Sequence, residues 1–395
     1  MIFRERYIKE IREFYDSDLI KIITGIRRSG KSVILSEVRE EIAKRVTNII
    51  SLDFEDISVS ENISDGISLV KYIEEHRTSG LCYVFLDEVQ RLEGWAEACR
   101  TLRLRECSLF ISGSNSKLLS GEFTKELSGR YVAFRIRPFV YKEIAAYAKE
   151  LGIEPTVSDY LVWGGFPKRF EFAAADAQRR YLNDLHETIV INDIVNRYGI
   201  RKVELFRRLV NFVFVSNARI FSARFVCDYL NSNGSKCSIS TVVKYLGYLE
   251  EAYAIESIRQ YSKKAKKELD FYRKVYNADV AFNSLRVFDN RFDLTHNFEN
   301  IIYNELLYMG YTLNVYDNAG REIDFFAQKA GKKYYVQAAY SVVNEKSYER
   351  EFSAFATLDN SVQKVIITMD EVDYSTSTVK HITFKKFLFM DDLDS

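Results

Sequence analysis

The run Gly25-Ile26-Arg27-Arg28-Ser29-Gly30-Lys31-Ser32, GIRRSGKS, decides how the first third of this chain reads. It satisfies the pattern GxxxxGK[ST] in full, and it stands where that pattern has physical meaning. The apolar run LIKIIT (19–24) leads straight into it, and the helix-forming VILSEVREEIAK comes directly after. Glycines at 25 and 30 let the backbone curl, so that successive amide N–H groups and a helix N-terminus face an anion. The expected phosphate cradle is therefore Gly25, Ile26, Arg27, Arg28, Ser29, Gly30, Lys31, Ser32 and Val33. In it Lys31 neutralises nucleotide phosphate and Ser32 ligates Mg²⁺. For Arg27 and Arg28 two readings stay open: pairing with Glu55 or Asp56, or facing phosphate.

Outward from the loop, short apolar runs alternate with helical periodicity, the pattern of a parallel α/β sheet covered on both faces. The candidate strands are LIKIIT, TNIISLDF (47–54), LCYVFLD (81–87), CSLFISG (107–113) and YVAFRI (131–136). The third ends in two adjacent acids, 56 residues after Lys31. At the C-terminal end of a central strand, Asp87 can hold Mg²⁺ through water, and Glu88 can polarise an attacking water. The fourth ends in ISGSNSKLL, where Asn115 either orients the water or senses the γ-phosphate, or Ser and Asn cap the following helix. Arg130, just before the fifth strand, is either a surface residue or a phosphate-contacting finger in its own or a neighbouring subunit.

The chain has 395 residues, 47% hydrophobic and 28% charged, which excludes disordered and fibrous classes and predicts two or three domains. No apolar run reaches the ~18 residues of a membrane span, and the start MIFRERYIKEIREF has no apolar signal core, so a cytoplasmic, unprocessed protein is expected. Five cysteines without a CxxC pair and four scattered histidines give no zinc or disulfide frame. Net charge is zero, yet between Arg197 and Val275 sixteen Lys/Arg face seven Asp/Glu.

That basic segment reads as helices (203–215, FSARFVCDYL, SISTVVKYLGYLEEA) and then strand-like AIESIRQYS and ELDFYRKVYN around KKAKK, the order of a winged helix-turn-helix. Lys244 lies on the candidate recognition helix and Lys263, Lys264, Lys266 and Lys267 on the candidate wing, a set suited to the phosphates of double-stranded DNA. Before it, a helical stretch with the turn WGGFP (163–167) runs to Gly199. After it come HNFENIIYNELLYMG, strands LNVYD, EIDFFAQ and KYYVQAAY, a helix over NEKSYEREFSAFATL, and strands KVIITMD and ITFKKFLF. This last block offers Glu299, Glu305, Glu322, Asp324 and Gln337 as converging groups for a divalent metal. Where a nuclease wants an acid and a lysine one residue apart, it reads Gln337-Ala338-Ala339, so a ligand and the charge-stabilising cation are both missing and a structural core is the favoured reading.

Taken in order, GIRRSGKS, FLDEVQRLEGW, ISGSNSKLLSGE, LSGR, WGGFP, EIDFFAQ and YYVQAAYS resemble prokaryotic AAA+ ATPases with a C-terminal domain of unknown function. The resemblance implies a P-loop NTPase sheet of AAA+ type at 1–140, a helical lid at 141–199, a winged helix at 200–283 and a mixed α/β, restriction-endonuclease-like domain at 284–395. It implies that Gly25–Ser32 is the Walker A loop, Asp87 and Glu88 the Walker B pair, Asn115 a sensor 1 candidate and Arg130 a candidate finger. ATP rather than GTP is implied by resemblance alone. The expected function is an Mg²⁺-dependent ATPase coupled to a DNA-binding C-terminal region. The alternatives are an ATP-gated protein-interaction switch and an ATP-controlled nuclease, with a homo-oligomer required by a finger acting in trans and no membrane partner.

Overall fold

The computed structural model describes residues 2–114, 127, 129–261, 273–285, 294–318 and 321–395. The five apolar runs form strands β1 (Ile20–Thr24), β2 (Ile49–Asp53), β3 (Cys82–Asp87), β4 (Cys107–Gly113) and β5 (Tyr131–Arg135). All pair in parallel, in the order β2-β3-β4-β1-β5. Every residue of β1 and β4 is buried, as strands covered on both faces require. Helices Lys31–Ala43, Gly66–His76 and Trp95–Arg103 supply the cover. On one face Ile22, Val84 and Ile111 pack with Leu69, Ile73 and Leu102 in a single apolar cluster. Each such side chain contributes about 1.5–3 kcal/mol by leaving water.

One buried residue of β1 is not apolar. Lys21 donates from Nζ to Ser108 Oγ (2.7 Å) and Ser17 O (3.1 Å), and its ammonium lies 4.5 Å from the centroid of the Phe110 ring. Burial lowers its pKa to about 7, against the opposing pull of Asp16 and Asp18.

Residues Met1–Pro138, with Glu251–Tyr253, make up this first unit, and Phe139–Glu250 with Ala254–Ser395 the second. The second opens with helices Tyr141–Leu151, Val157–Trp163 and Ala175–His186, then a π-helical turn Glu187–Asp193 and helix Ile194–Tyr198. The WGGFP run makes a clasp: Gly164 has φ +65°, a methyl on it would lie 1.7 Å from Asp279 Oδ1, and the Gly165 amide donates to Asp279 Oδ2 at 2.7 Å.

Next come helix Val203–Val215, β6 (Arg219–Phe221), helices Ala223–Ser232 and Ile239–Glu251, and the antiparallel hairpin β7 (Ile255–Tyr261) and β8 (Arg273–Asn277). Helix Leu294–Tyr308 leads to β9 (Thr312–Asn318), β10 (Arg321–Lys329), β11 (Lys332–Ala338), β12 (Gln363–Thr368) and β13 (Val379–Thr383). One mixed sheet runs β13-β12-β11-β10-β9-β7-β8-β6, because β7 pairs with β9 through Gln260↔Val315 and Tyr261↔Tyr316. The hairpin and the last block therefore share hydrogen bonds across residue 283. The expected strand ITFKKFLF ends at Thr383, whose hydroxyl accepts from Lys386 N and caps a helical turn Phe384–Phe387. Phe384, Phe387 and Leu388 are buried at helical spacing, which overrides the strand reading. Among the described residues no helix is long and apolar enough to cross a membrane.

The buried Lys21 generates a pH prediction. Unfolded, its amine stays protonated to about pH 10.4, whereas the folded chain releases that proton above about 7. The unfolded state binds more protons between these values, so stability rises with pH through that window, and the full penalty applies below it. Melting curves from pH 7 to 10 should show wild type gaining about 3–5 kcal/mol relative to Lys21→Met. Parallel pH profiles for the two proteins would exclude a depressed Lys21.

Candidate nucleotide site

The loop after β1 takes its shape from close backbone approach. Gly25 has φ +140°, and a methyl on it would stand 2.1 Å from Ile136 O. The Ile136 amide in turn donates to Thr24 O at 2.7 Å, so β1 and the end of β5 are locked together where the loop begins. Arg28 (φ +66°) and Gly30 (φ +98°) are left-handed, which turns the chain into the N-terminus of helix Lys31–Ala43. Ser29 is buried, and among the described residues its Oγ has no hydrogen-bond partner. Lys31 is buried too, with Nζ donating to Ile26 O at 3.3 Å. Burial lowers its pKa, while Glu88 and Asp87 pull the other way. A curled loop around a desolvated ammonium whose hydrogen bond goes to a carbonyl fits a polyanion such as nucleotide phosphate.

The acids come from the neighbouring strands. β4 lies between β1 and β3, so the ends of these three strands lie side by side. The Ser112 hydroxyl donates to Asp87 Oδ1, and the Glu88 amide donates to Asp87 Oδ1 (3.1 Å) and Ser112 Oγ (3.2 Å). Glu88 is left-handed (φ +49°), and its Oε2 accepts from Gln90 Nε2 and from Ser114 Oγ (3.4 Å). Asp53 is in register with Asp87 on the adjacent strand, and burial, then the Asp87 charge, raise its pKa. Arg27 pairs with Glu55 at 3.5 Å, the first of the two readings left open. With Ser32 exposed at the helix start and Asp87 at the strand end, the oxygen donors suit a hard cation such as Mg²⁺.

The remaining expected residues divide into those beyond the described structure and those it locates. Asn115 and the four wing lysines, Lys263, Lys264, Lys266 and Lys267, lie outside the described residues. Arg130 O accepts from Ile20 N, so Arg130 stands at the N-terminal end of β1, whereas the loop leaves from its C-terminal end. About 15 Å of strand separates them, beyond the reach of a side chain, so a phosphate contact by Arg130 requires a second copy of the chain. Lys244 is exposed on helix Ile239–Glu251, with Nζ 5.7 Å from the Tyr248 ring centroid. In the last block Glu299, Glu322, Asp324 and Gln337 converge, but Glu305 does not. Its Oε1 accepts from Tyr141 N (2.9 Å) and Tyr160 OH (3.1 Å), and burial pushes its pKa up to about 8.

Two residues of the site gave no sequence signal. Arg4, only 3% exposed, donates to Ser29 O (3.0 Å) and Arg137 O (3.1 Å) and lies over the Tyr7 ring at 4.6 Å. It buttresses the loop from a position 25 residues away, in a helix start that reads only as charged and amphipathic. Gln90 was missed for the same reason: nothing in its spacing marks it as the partner of Glu88.

A parallel five-stranded sheet with this loop after β1 and paired acids after β3 defines a P-loop ATPase-like domain of the AAA class. Residues 17–145 match the AAA domain family, and residues 154–288 match a domain of unknown function, DUF8612. An uncharacterized protein of Haemophilus influenzae is 31% identical over 379 residues, covering 93% of this chain and 93% of its own. The uncharacterized protein MJ1544 of Methanocaldococcus jannaschii is 27% identical over 379 residues, covering 89% of this chain and 82% of its own. The chain belongs to the family of the Haemophilus protein. In fold it is similar to the Walker-type ATPase PABY2304 of Pyrococcus abyssi, with TM-score 0.51 and 15% identity over 73% of this chain and 96% of that one.

Removing the buttress tests its part in the site. Arg4→Met deletes one buried and one partly buried charge-assisted hydrogen bond, so stability should fall by about 2–4 kcal/mol. Nucleotide affinity should fall about tenfold as the Ser29 carbonyl loses its anchor. Thermal melting and nucleotide titration read the two effects separately, and unaltered affinity would confine Arg4 to a structural role.

Proposed function

We propose that the chain is an Mg²⁺-dependent ATPase, hydrolysing ATP to ADP and phosphate, whose nucleotide state governs a DNA-binding winged-helix region. The observation that carries the first half is the meeting, within one unit, of the curled loop around Lys31 with Asp87 and Glu88 at the end of β3. The loop amides and Lys31 bind the β- and γ-phosphates. Ser32 and Asp87 would hold Mg²⁺, which when bound supplies charge neutralisation to the phosphates. Glu88 orients a water for in-line attack and takes its proton, with Gln90 and Ser114 fixing the carboxylate until nucleotide arrives. Asn115 is assigned to the γ-phosphate side of the site, and Arg130 to the site of a second copy.

The second half rests on chain order and charge. Helix, short strand, two helices and a hairpin succeed one another from Val203 to Asn277, and β6 pairs with β8 as a winged helix requires. Ser238 Oγ accepts from Thr241 N and caps the helix that carries Lys244, and the exposure of that lysine suits contact with a phosphate backbone. A second reading has its own observation. Phe225 (61% exposed) and Tyr229 share one helix, while Ile239 and Val243 sit four apart on the next, all exposed. An apolar face of this kind suits a protein partner, with ATP as the gate and slow turnover.

Steady-state ATP hydrolysis with and without duplex DNA separates these readings. Lys31→Ala should lose nucleotide binding, whereas Glu88→Gln should bind normally and turn over at least about a hundredfold slower. Equal turnover in Glu88→Gln and wild type would remove the general-base assignment. If the wing lysines meet phosphates, replacing Lys263, Lys264, Lys266 and Lys267 by Ala should flatten the slope of log affinity against log salt by about 3–4. An unchanged slope with DNA-independent turnover would favour the protein-binding switch.

A further inference from the structure

The acids of the last block surround a cation that the chain carries itself. Lys274, on β8 and 5% exposed, places Nζ 2.6 Å from Glu299 Oε1, 2.7 Å from Glu322 Oε1 and 3.1 Å from Asp324 Oδ1. The three carboxylates come from helix Leu294–Tyr308 and from β10, the helix-and-strand arrangement that was expected to converge on a divalent metal. A cation therefore already stands where these acids meet, delivered from another strand.

The surrounding bonds complete the set. Tyr276 OH donates to the same Glu299 Oε1 at 2.7 Å, and Ala338 N donates to Asp324 Oδ2 at 2.9 Å. Gln337 uses its oxygen on Asp324 N (3.3 Å) and its nitrogen on Glu351 Oε2 (2.8 Å), so neither end is turned to a metal. Burial lowers the pKa of Lys274, but Glu299, Asp324 and Glu322 outweigh it and raise it well above the usual lysine value, while burial and then the Asp324 charge push Glu299 up to about 8. Among the described residues no set of three or more His, Cys, Asp or Glu is arranged to hold a metal ion. The residues present do not fit a divalent cation.

We propose that the Lys274 ammonium occupies the position of the metal ion in this endonuclease-like site, so that the site is a tethered-cation lock and not a metal centre. Its mechanical effect derives from the sheet order. β8 and β10 are separated by β7 and β9, and among the described residues those two strands pair through Gln260 and Tyr261. The ammonium ties the hairpin to β10 across that short seam. A divalent cation arriving from solvent would have to displace a charge that cannot diffuse away. This inference is independent of the ATPase reading, because none of its residues belongs to the nucleotide site.

The test uses the nucleotide-free full-length chain in a Lys31→Ala background, with Mn²⁺ as the probe, tracked by the loss of its free-ion electron paramagnetic resonance signal and by thermal melting. Wild type at position 274 should take up no stoichiometric Mn²⁺ up to millimolar concentration. Lys274→Ala, which leaves three carboxylates around an open position, should bind one Mn²⁺ at least tenfold more tightly. Its melting temperature should rise by about 5 °C or more on adding Mn²⁺, and adding Asp324→Asn should abolish both effects. Lys274→Met gives the same comparison with a side chain of similar length if the alanine variant does not fold. One Mn²⁺ bound by the chain with Lys274 intact, and lost in Asp324→Asn, would overturn the proposal and restore a metal centre. So would a folded Lys274→Ala that takes up none. If neither variant folds, the titration of the intact chain decides by itself.

Discussion

The nucleotide site depends on one backbone crossing, where Gly25 passes so close to the Ile136 carbonyl that no side chain can intervene. Ile136 N on Thr24 O closes the same junction, so the start of the loop is tied to the end of β5 and not only to the strand that precedes it. Arg4 secures the opposite side of the loop by holding Ser29 O, and with its other nitrogen it holds Arg137 O, one residue past the crossing. The loop amides are thereby oriented before any ligand arrives, the arrangement that lowers the reorganisation needed for anion binding. The acids obey the same logic. Asp87, Glu88 and Ser112 are cross-linked by hydrogen bonds among the ends of β3 and β4, so the groups facing the loop form a rigid set.

The sequence was most legible where local pattern and tertiary environment agree. Five short apolar runs became five parallel strands because both faces of the sheet are covered and each run is bounded by glycine or polar residues. The glycines of the loop could be read because only a curled backbone requires them at those positions. Legibility failed where a side chain acts across long separations. Arg4 and Ser29 are 25 residues apart, and the Lys274 and Asp324 partners 50. ITFKKFLF reads equally as strand or helix in so short a run, and the Thr383 cap settled it. The join of β7 to β9 had no sequence signal either, since the two paired residues described leave no periodicity to detect.

Three of the buried lysines show how one chemical group is turned to three ends. Removing an ammonium from water costs several kcal/mol, and whether that cost is offset depends on the groups around it. Lys21 meets a hydroxyl, a carbonyl and a ring, none with a full negative charge, and its proton is held loosely. Lys274 meets three carboxylates and keeps its proton firmly, so its electrostatics are saturated from within the chain.

Lys31 falls between these cases. Its one hydrogen bond among the described residues goes to Ile26 O, and the nearby acids Glu88 and Asp87 reduce its desolvation penalty without removing it. A charge left in this state gains most from an anion supplied from outside. Lys274 could not play that part, because any incoming phosphate would meet Glu299, Glu322 and Asp324 before reaching the ammonium. The difference between a binding site and a structural lock in this molecule is thus whether the counter-charge is built into the chain or must be brought to it.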